Sequence, residues 1–477
     1  MIMNSRQDSS VVRLHAPWLA LIIGVILAAQ PAGAAPAPAP GCPPFGWAEG
    51  LGQYLASDAP FPTQDTANNP PDCRFHEWSW EAFVWATALD SNGVPRFLSL
   101  ATEDELLGAE AGASAPRPRD LRLAARSLAV HGTPGYTEGA GAIVEADGNV
   151  LVAPNGYPVY ASIHMNPSYF DTVKENLIVD GGYTNQPANA YFDLGAAVFK
   201  ATWLRLDAGE KPPAAAYTTQ AQVPVLTQSK STTAAGTTIT IFPVSGQFTN
   251  VTVALVGLHV VGYTVDHPEF LWATFEHNLN APAVPDGTFT TNQSNPHGFT
   301  FYQANTSFAQ VNQAEVPPQL TFDPTTQRFA PANNVVQQNR TGGENHPHGP
   351  GNIAALNQQA GEYLAGLKSS QSLFSSYRLV GTVWTAPNTY TEANSTIGEP
   401  FGSVSLANTT AETFVQFPNF NCFGCHSQAS YSPPRRIGIS HAVAVGSSEA
   451  VANQVSGTFP ATNAIGATLN RLLGGNK

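Results

Sequence analysis

Apolar positions recur at helical spacing early in the chain. In His76–Thr87 and just beyond, Trp78, Ala82, Trp85 and Leu89 fall on one face, with Phe83 beside them. That pattern predicts a helix packed by its tryptophans. Residues 117–130 and 167–178 predict two further short helices. Residues 351–369 predict an amphipathic one, with Ile353, Leu356, Ala360, Tyr363, Leu364 and Leu367 on one side. Residues 409–416 and 461–473 read as two more. From about 141 to 300 the pattern turns to β. Thr237–Val244 and Val251–Val256 are rich in β-branched residues, and Ser245-Gly246-Gln247 between them reads as a turn. The apolar run Val253–Gly262 reads as a buried strand. His267–Asn278 reads as a helix or strand end packed by Trp272 and Phe275, and the polar stretch 285–350 as a long loop region.

The expected class is α+β: a β-rich main domain with peripheral helices and a short, mostly helical C-terminal segment. The expected parts are 1–34, 35–100 (a cysteine-bearing loop and the Trp-rich helix), 101–400 (the β-rich domain with long loops) and 401–477.

Composition narrows the class. The chain has 477 residues, with 43% apolar and only 12% charged, about half the usual charged share. Gly (41) and Pro (39) fit many turns rather than a helical bundle. The net charge is −13 and no basic stripe exists, so nucleic-acid binding is not expected. At the N-terminus, Arg6 and Arg13 precede the apolar run Trp18–Ala29, and Ala32-Gly33-Ala34 supplies an A-x-A cleavage pattern. Residues 1–34 therefore read as a signal peptide. The apolar run is too short to prefer spanning a bilayer, although an uncleaved anchor is the rival reading. The expected location is periplasmic or secreted, with no membrane span after cleavage. Ala39-Pro40-Gly41 before Cys42 is a poor lipobox.

The four cysteines sort into two pairs. Cys42 and Cys73 lie among proline-rich loops without a histidine at metal-ligand spacing, and an exported protein permits disulfides. A structural disulfide would add about 3 kcal/mol by constraining the unfolded chain. The second pair reads Asn421-Cys422-Phe423-Gly424-Cys425-His426. C-x-x-C-H is the attachment signature of haem c. Thiols at i and i+3 on a helical turn reach one side of the porphyrin, and His426 follows as the proximal iron ligand. Gly424 would leave room for the ring. A zinc site would need further ligands at short spacing, and a thioredoxin-like motif would need a βαβ context. A Cys422–Cys425 disulfide would leave His426 unexplained. Export and C-x-x-C-H agree with each other, because haem c is attached outside the cytoplasm. One covalent haem c is the expected cofactor, held by Cys422, Cys425 and His426.

No methionine follows His426, so a small self-contained cytochrome c arrangement is excluded. The candidates for a distal ligand are Met165, the only Met outside residues 1–34, His259 within Val253–Gly262, and His441. A closed iron would serve electron transfer; an open one would allow peroxide or oxygen chemistry, or gas sensing. His267, Glu269, Glu276 and His277 resemble metal ligands by type, but their spacing fits no helical zinc motif. His346 and His348 could bind copper or zinc on a loop. Trp78, Trp80 and Trp85 suit a packing face better than an electron-hopping relay.

Several strings together resemble bacterial cytochrome c family proteins of uncertain function. These are Cys73 followed by Phe75-His76-x-Trp78-Ser79-Trp80-x-x-Phe83, then Val256–Val261, then Trp272-Ala273-Thr274-Phe275-Glu276-His277 with Asn280-Ala281-Pro282, and last Cys422–His426. The resemblance spans most of the chain beyond residue 34. It implies haem binding and electron transfer, and supplies neither a substrate nor catalytic residues; a redox partner protein is expected for such a chain. The alternatives are a haem enzyme of peroxidase or oxygenase type with an open distal site, and a haem-based redox or gas sensor.

Overall fold

A computed structural model describes residues 46–64, 71–102, 105, 121–123, 128–130, 149–175, 190–233, 236–284, 295, 297–315, 319–339, 341, 349–391, 396–427 and 436–440. The fold is α+β, built on a mostly antiparallel sheet. The strands are β1 (Ala101–Thr102), β2 (Leu121–Arg122), β3 (Leu128–Val130), β4 (Tyr160–Met165), β5 (Ala197–Leu206), β6 (Thr218–Thr233), β7 (Gly236–Thr264) and β8 (His267–His277). After them come β9 (Thr321–Asp323), β10 (Arg328–Ala330), β11 (Tyr377–Trp384) and β12 (Phe401–Gly402). The main sheet runs β1-β4-β5-β7-β8-β11-β12, while β3 and β6 also pair with β7, and β2 joins β6; β9 and β10 form a separate hairpin. The helices are α1 (Pro71–Thr87), α2 (Pro167–Lys174) and α3 (Gly349–Gly366).

Three predicted elements differ: residues 409–416 hold only a 3-10 turn at Thr413–Val415 rather than a helix, and two others follow, while the helix expected at 461–473 lies outside the described residues. Residues 117–130 contain the strands β2 and β3 rather than a helix, because each short apolar piece finds an edge to pair with, β2 on β6 and β3 on β7. Ser245-Gly246-Gln247 is not a reversal: β7 runs through it for 29 residues. Pro224 pairs with Phe248 and Leu226 with Pro243, so the chain between 243 and 248 bulges out against β6. Gly246 at φ 70° supplies the left-handed residue such a bulge takes.

Alternation along the strands divides the apolar residues between two faces. Phe199 and Trp203 of β5, Leu258 and Val260 of β7, and Leu271, Ala273 and Phe275 of β8 join α1 and α3 in one core. Within it Phe83 stacks on Phe275 at 4.1 Å, Trp80 meets Phe275 edge-on at 5.0 Å, and Trp85 stacks on Phe199 at 5.8 Å. The predicted packing face of α1 is thus buried, and so are the other side chains from Phe75 to Thr87. That is tolerable because its polar groups are satisfied locally. Ser79 and Thr87 donate to the carbonyls four residues back, Arg74 pairs with Glu77 at 2.7 Å, and Tyr54 donates to Glu81 at 2.9 Å. Cys73 is buried and is a disulfide-forming cysteine; its expected partner, Cys42, lies outside the described residues. No helix among the described residues is long and apolar enough to cross a membrane.

Candidate haem-attachment site

The opposite face of the sheet carries the C-terminal segment. Its seat is set by a short run of polar side chains. Asn408 donates to Thr274 Oγ1 (2.8 Å) and to the Phe275 carbonyl (3.0 Å), and the Thr409 amide donates to Glu276 Oε1 at 2.5 Å. Thr410 and Thr202 share a hydroxyl hydrogen bond of 2.7 Å, and His259 Nε2 meets Glu412 Oε1 at 3.0 Å. A Cβ on Gly257 would lie 2.7 Å from Thr410 Oγ1, so the segment enters a notch that only glycine leaves open. Burial pushes the Glu276 carboxyl upward against the opposing Arg378 and Thr409. At Glu412 burial also works upward, but His259, Lys200 and the Asn408 amide outweigh it, and the net direction is down.

Beyond this seat the chain makes the turn that holds the thiols. Asn421 caps it, its side chain accepting from the Phe423 amide at 3.0 Å, and the Cys425 and His426 amides donate back to the Cys422 carbonyl at 3.2 and 2.8 Å. Cys422 and Cys425 are therefore on one turn, both half-buried, and not joined to each other. A Cβ on Gly424 would stand 2.7 Å from the Phe420 ring. Close approach does fix this glycine, and the neighbour is a phenylalanine of the chain itself. Phe423 is buried, with its ring 6.2 Å from that of Trp272.

His426 is oriented from two sides. Its Nδ1 donates to the Ile439 carbonyl at 3.0 Å, and its ring lies 4.3 Å from the indole of Trp272. A proton held at Nδ1 by a backbone carbonyl leaves the lone pair at Nε2, the tautomer a metal-ligating imidazole requires. Around it Tyr169, Phe192, Phe270, Trp272, Tyr390, Phe423, Ile437, Ile439 and Met165 form one apolar cluster, with Cys422 packed against it. Arg436 closes one edge, over the ring of Tyr191 at 3.8 Å and donating to the Tyr390 carbonyl at 2.7 Å. Tyr169 and Ser440 join by a hydroxyl hydrogen bond. These residues fit a haem: two thiols and one correctly tautomerised imidazole on a single turn, facing an apolar, aromatic wall.

The other predicted candidates separate. Met165 lies in this cluster. His259 is on the same sheet face but is held by Glu412. His441, His346 and His348 lie outside the described residues. His267 bonds Glu269 at 2.8 Å, and His277 Nε2 bonds the Ala214 carbonyl at 3.1 Å. These pairs sit at opposite ends of β8, and no cluster of three metal-ligating side chains exists among the described residues. Ile439, Asn408 and Glu412 have no counterpart in the sequence reading, and Trp272 enters it only as a packing residue. Trp272 carries a signal in retrospect, since Phe270, Trp272, Thr274 and Glu276 alternate with the core-facing Leu271, Ala273 and Phe275. The alternate set of β8 is also buried, and so needed a covering segment.

His164, next to Met165, points the other way. It is buried against Phe97 with Nε2 2.9 Å from Ser162 Oγ, and burial drives its pKa down to about 3. The unfolded chain, with an ordinary histidine, takes up a proton near pH 6.5 that the folded chain refuses. Stability from this group is therefore complete above pH 6.5 and is lost as pH falls. Between pH 7 and 5 the stability of wild type should fall relative to His164→Gln by about 2 kcal/mol. Urea melts of both proteins at the two pH values measure it, and parallel behaviour would refute the assignment.

No family model, no curated protein and no solved structure matches the chain.

Proposed function

We propose that the chain is an exported, periplasmic or secreted monohaem c-type cytochrome that passes single electrons to a redox partner protein. The observation that carries this is the turn Cys422–His426 with its Nδ1–Ile439 hydrogen bond: two thiols spaced for thioether attachment, followed at once by an imidazole presenting Nε2. A haem bound there supplies a one-electron ferric/ferrous couple. The chain's own part is to hold the imidazole between Ile439 and Trp272 and to exclude water with the aromatic cluster. Cys422, Gly424, Cys425 and His426 are all half-buried, so the attachment turn reaches the surface where a partner docks.

The test is expression with a signal peptide in a host that matures c-type cytochromes, then haem staining of the purified protein on a denaturing gel. One haem per chain that survives denaturation, with a low-spin ferrous spectrum unchanged by carbon monoxide, is the expected result. Absence of covalent haem would overturn the proposal. A high-spin ferric form reacting rapidly with peroxide would overturn the electron-transfer role in favour of an enzyme.

A further inference from the structure

We infer that Trp272 is a positioning residue for His426: its indole sets the plane of the imidazole, and its electron-rich face lowers the reduction potential of an iron held at Nε2. This role rests on the haem reading above and goes beyond it, since neither thioether attachment nor ligation by His426 requires an indole at that place.

Trp272 reaches His426 because β8 is irregular just before it. Thr264 of β7 pairs with His267 and Gly262 with Leu271, so two steps along β7 face four along β8. The extra residues bulge between His267 and Leu271, and Phe270 takes φ 66°. A left-handed backbone is uphill for a bulky side chain and persists only where the surroundings over-determine it. Here they do. The Phe270 ring is buried, edge-on to Phe192 at 5.3 Å and to Trp272 at 6.4 Å, and the Tyr191 hydroxyl donates to the Pro268 carbonyl. Within the bulge the Glu269 carbonyl accepts from Trp272 Nε1 at 2.8 Å. The indole is thus tied at its nitrogen by its own strand, with the rings of Phe270 and Phe423 edge-on to it.

The imidazole gains two things from such a wall. Its hydrogen bond to the Ile439 carbonyl fixes Nδ1 but leaves the ring free to swing about that bond. The indole, 4.3 Å away between ring centres and inclined by 37°, blocks the swing from one side. It also acts electrostatically, because the face of a tryptophan ring attracts positive charge within about 6 Å of its centroid. With iron on Nε2 the imidazole is more positive in the ferric state than in the ferrous one. The indole therefore favours ferric iron and moves the potential down. Trp272 belongs to a buried apolar cluster, where that attraction is weakly screened.

The test uses the haem-loaded wild type with Trp272→Phe and Trp272→Leu, the first two made also with fluorinated tryptophan. Fluorine withdraws electron density from the ring face with almost no change of shape. The reduction potential should rise from wild type to Trp272→Phe to Trp272→Leu. Water admitted by the smaller side chains would favour ferric iron and move it the other way. Fluorination should raise the potential of wild type and leave that of Trp272→Phe unchanged. The other described tryptophans cannot mimic this, because Trp78, Trp80, Trp85, Trp203 and Trp384 lie in the core on the opposite face and Trp47 packs against it. The hyperfine-shifted haem methyl resonances of the ferric protein follow the orientation of the imidazole plane. Their order should hold in Trp272→Phe and change in Trp272→Leu; an unchanged order in Trp272→Leu overturns the plane-setting role. A potential that stays or falls in the variants, or that ignores fluorination of wild type, overturns the electrostatic role while the haem reading stands. If Trp272→Leu does not fold, fluorinated wild type against fluorinated Trp272→Phe decides. Absence of covalent haem on the denaturing gel overturns both readings.

Discussion

Cys422→Ala combined with Cys425→Ala is expected to leave no haem on the denatured chain, a complete loss of stain. The thiols occupy one turn whose amides bond back to the Cys422 carbonyl, and both side chains are half-buried. Removing them takes out both proposed attachment atoms with little change in packing. Phe423, which anchors the turn in the aromatic cluster, is untouched. The fold should therefore survive: the far-UV circular dichroism should match wild type, and the melt should shift by less than the loss of any core side chain would give. Each single substitution should leave one thioether and a reduced yield of stained protein. Stain retained by the double variant would show that Cys422 and Cys425 are not the attachment atoms.

The largest stability effect is expected at Trp80. Its side chain is fully buried between α1 and the sheet, edge-on to Phe83 at 5.4 Å and to Phe275 at 5.0 Å. Its Nε1 donates to Asn357 Oδ1 at 3.1 Å, and Asn357 in turn pairs with both backbone groups of Leu379 at 2.9 Å. Trp80→Ala removes that ring from a packed interior and should cost about 3–5 kcal/mol, a large share of the roughly 5–15 kcal/mol typical of a folded domain. Trp80→Phe keeps most ring contacts. It loses one hydrogen bond, while Asn357 Oδ1 remains satisfied by the Leu379 amide, so about 1–2 kcal/mol is expected. Chemical denaturation of the two variants measures the difference. Equal midpoints for Trp80→Ala and wild type would mean that α1 does not pack on the sheet as described.

Much of this was legible in the sequence. Helical spacing of Trp78, Ala82 and Trp85 located α1, and the β-branched run before and after His259 located the second half of β7. Residues 351–369 located α3, observed at Gly349–Gly366. What escaped was long-range. The strands at 121–122 and 128–130 are too short to show a period, and they exist only because β6 and β7 offer partners. Gly246 looks the same in a turn and in a bulge; the strand of β6 alongside decides between them. At the site, C-x-x-C-H announced itself through local spacing. The carbonyl of Ile439, the indole of Trp272 and the side chains of Asn408 and Glu412 did not, because each acts across a pairing that spacing along the chain does not encode.

The glycine at 257 carries a consequence for how the molecule is put together. Without a side chain there, the sheet has a vacancy shaped for Thr410, and Thr202 and Asn408 complete its rim. A strand surface with such a gap, and with the Glu276 carboxylate beneath it, is incomplete until the tail arrives. The described part of the tail, 396–427 and 436–440, has little regular structure of its own beyond short turns and the two-residue β12. Neither half is a finished object alone. The residues that would grip the proposed cofactor are thus assembled in the same event that closes the sheet, and a chain cut before Asn408 would lose its C-x-x-C-H turn together with the cover over one face of its own framework.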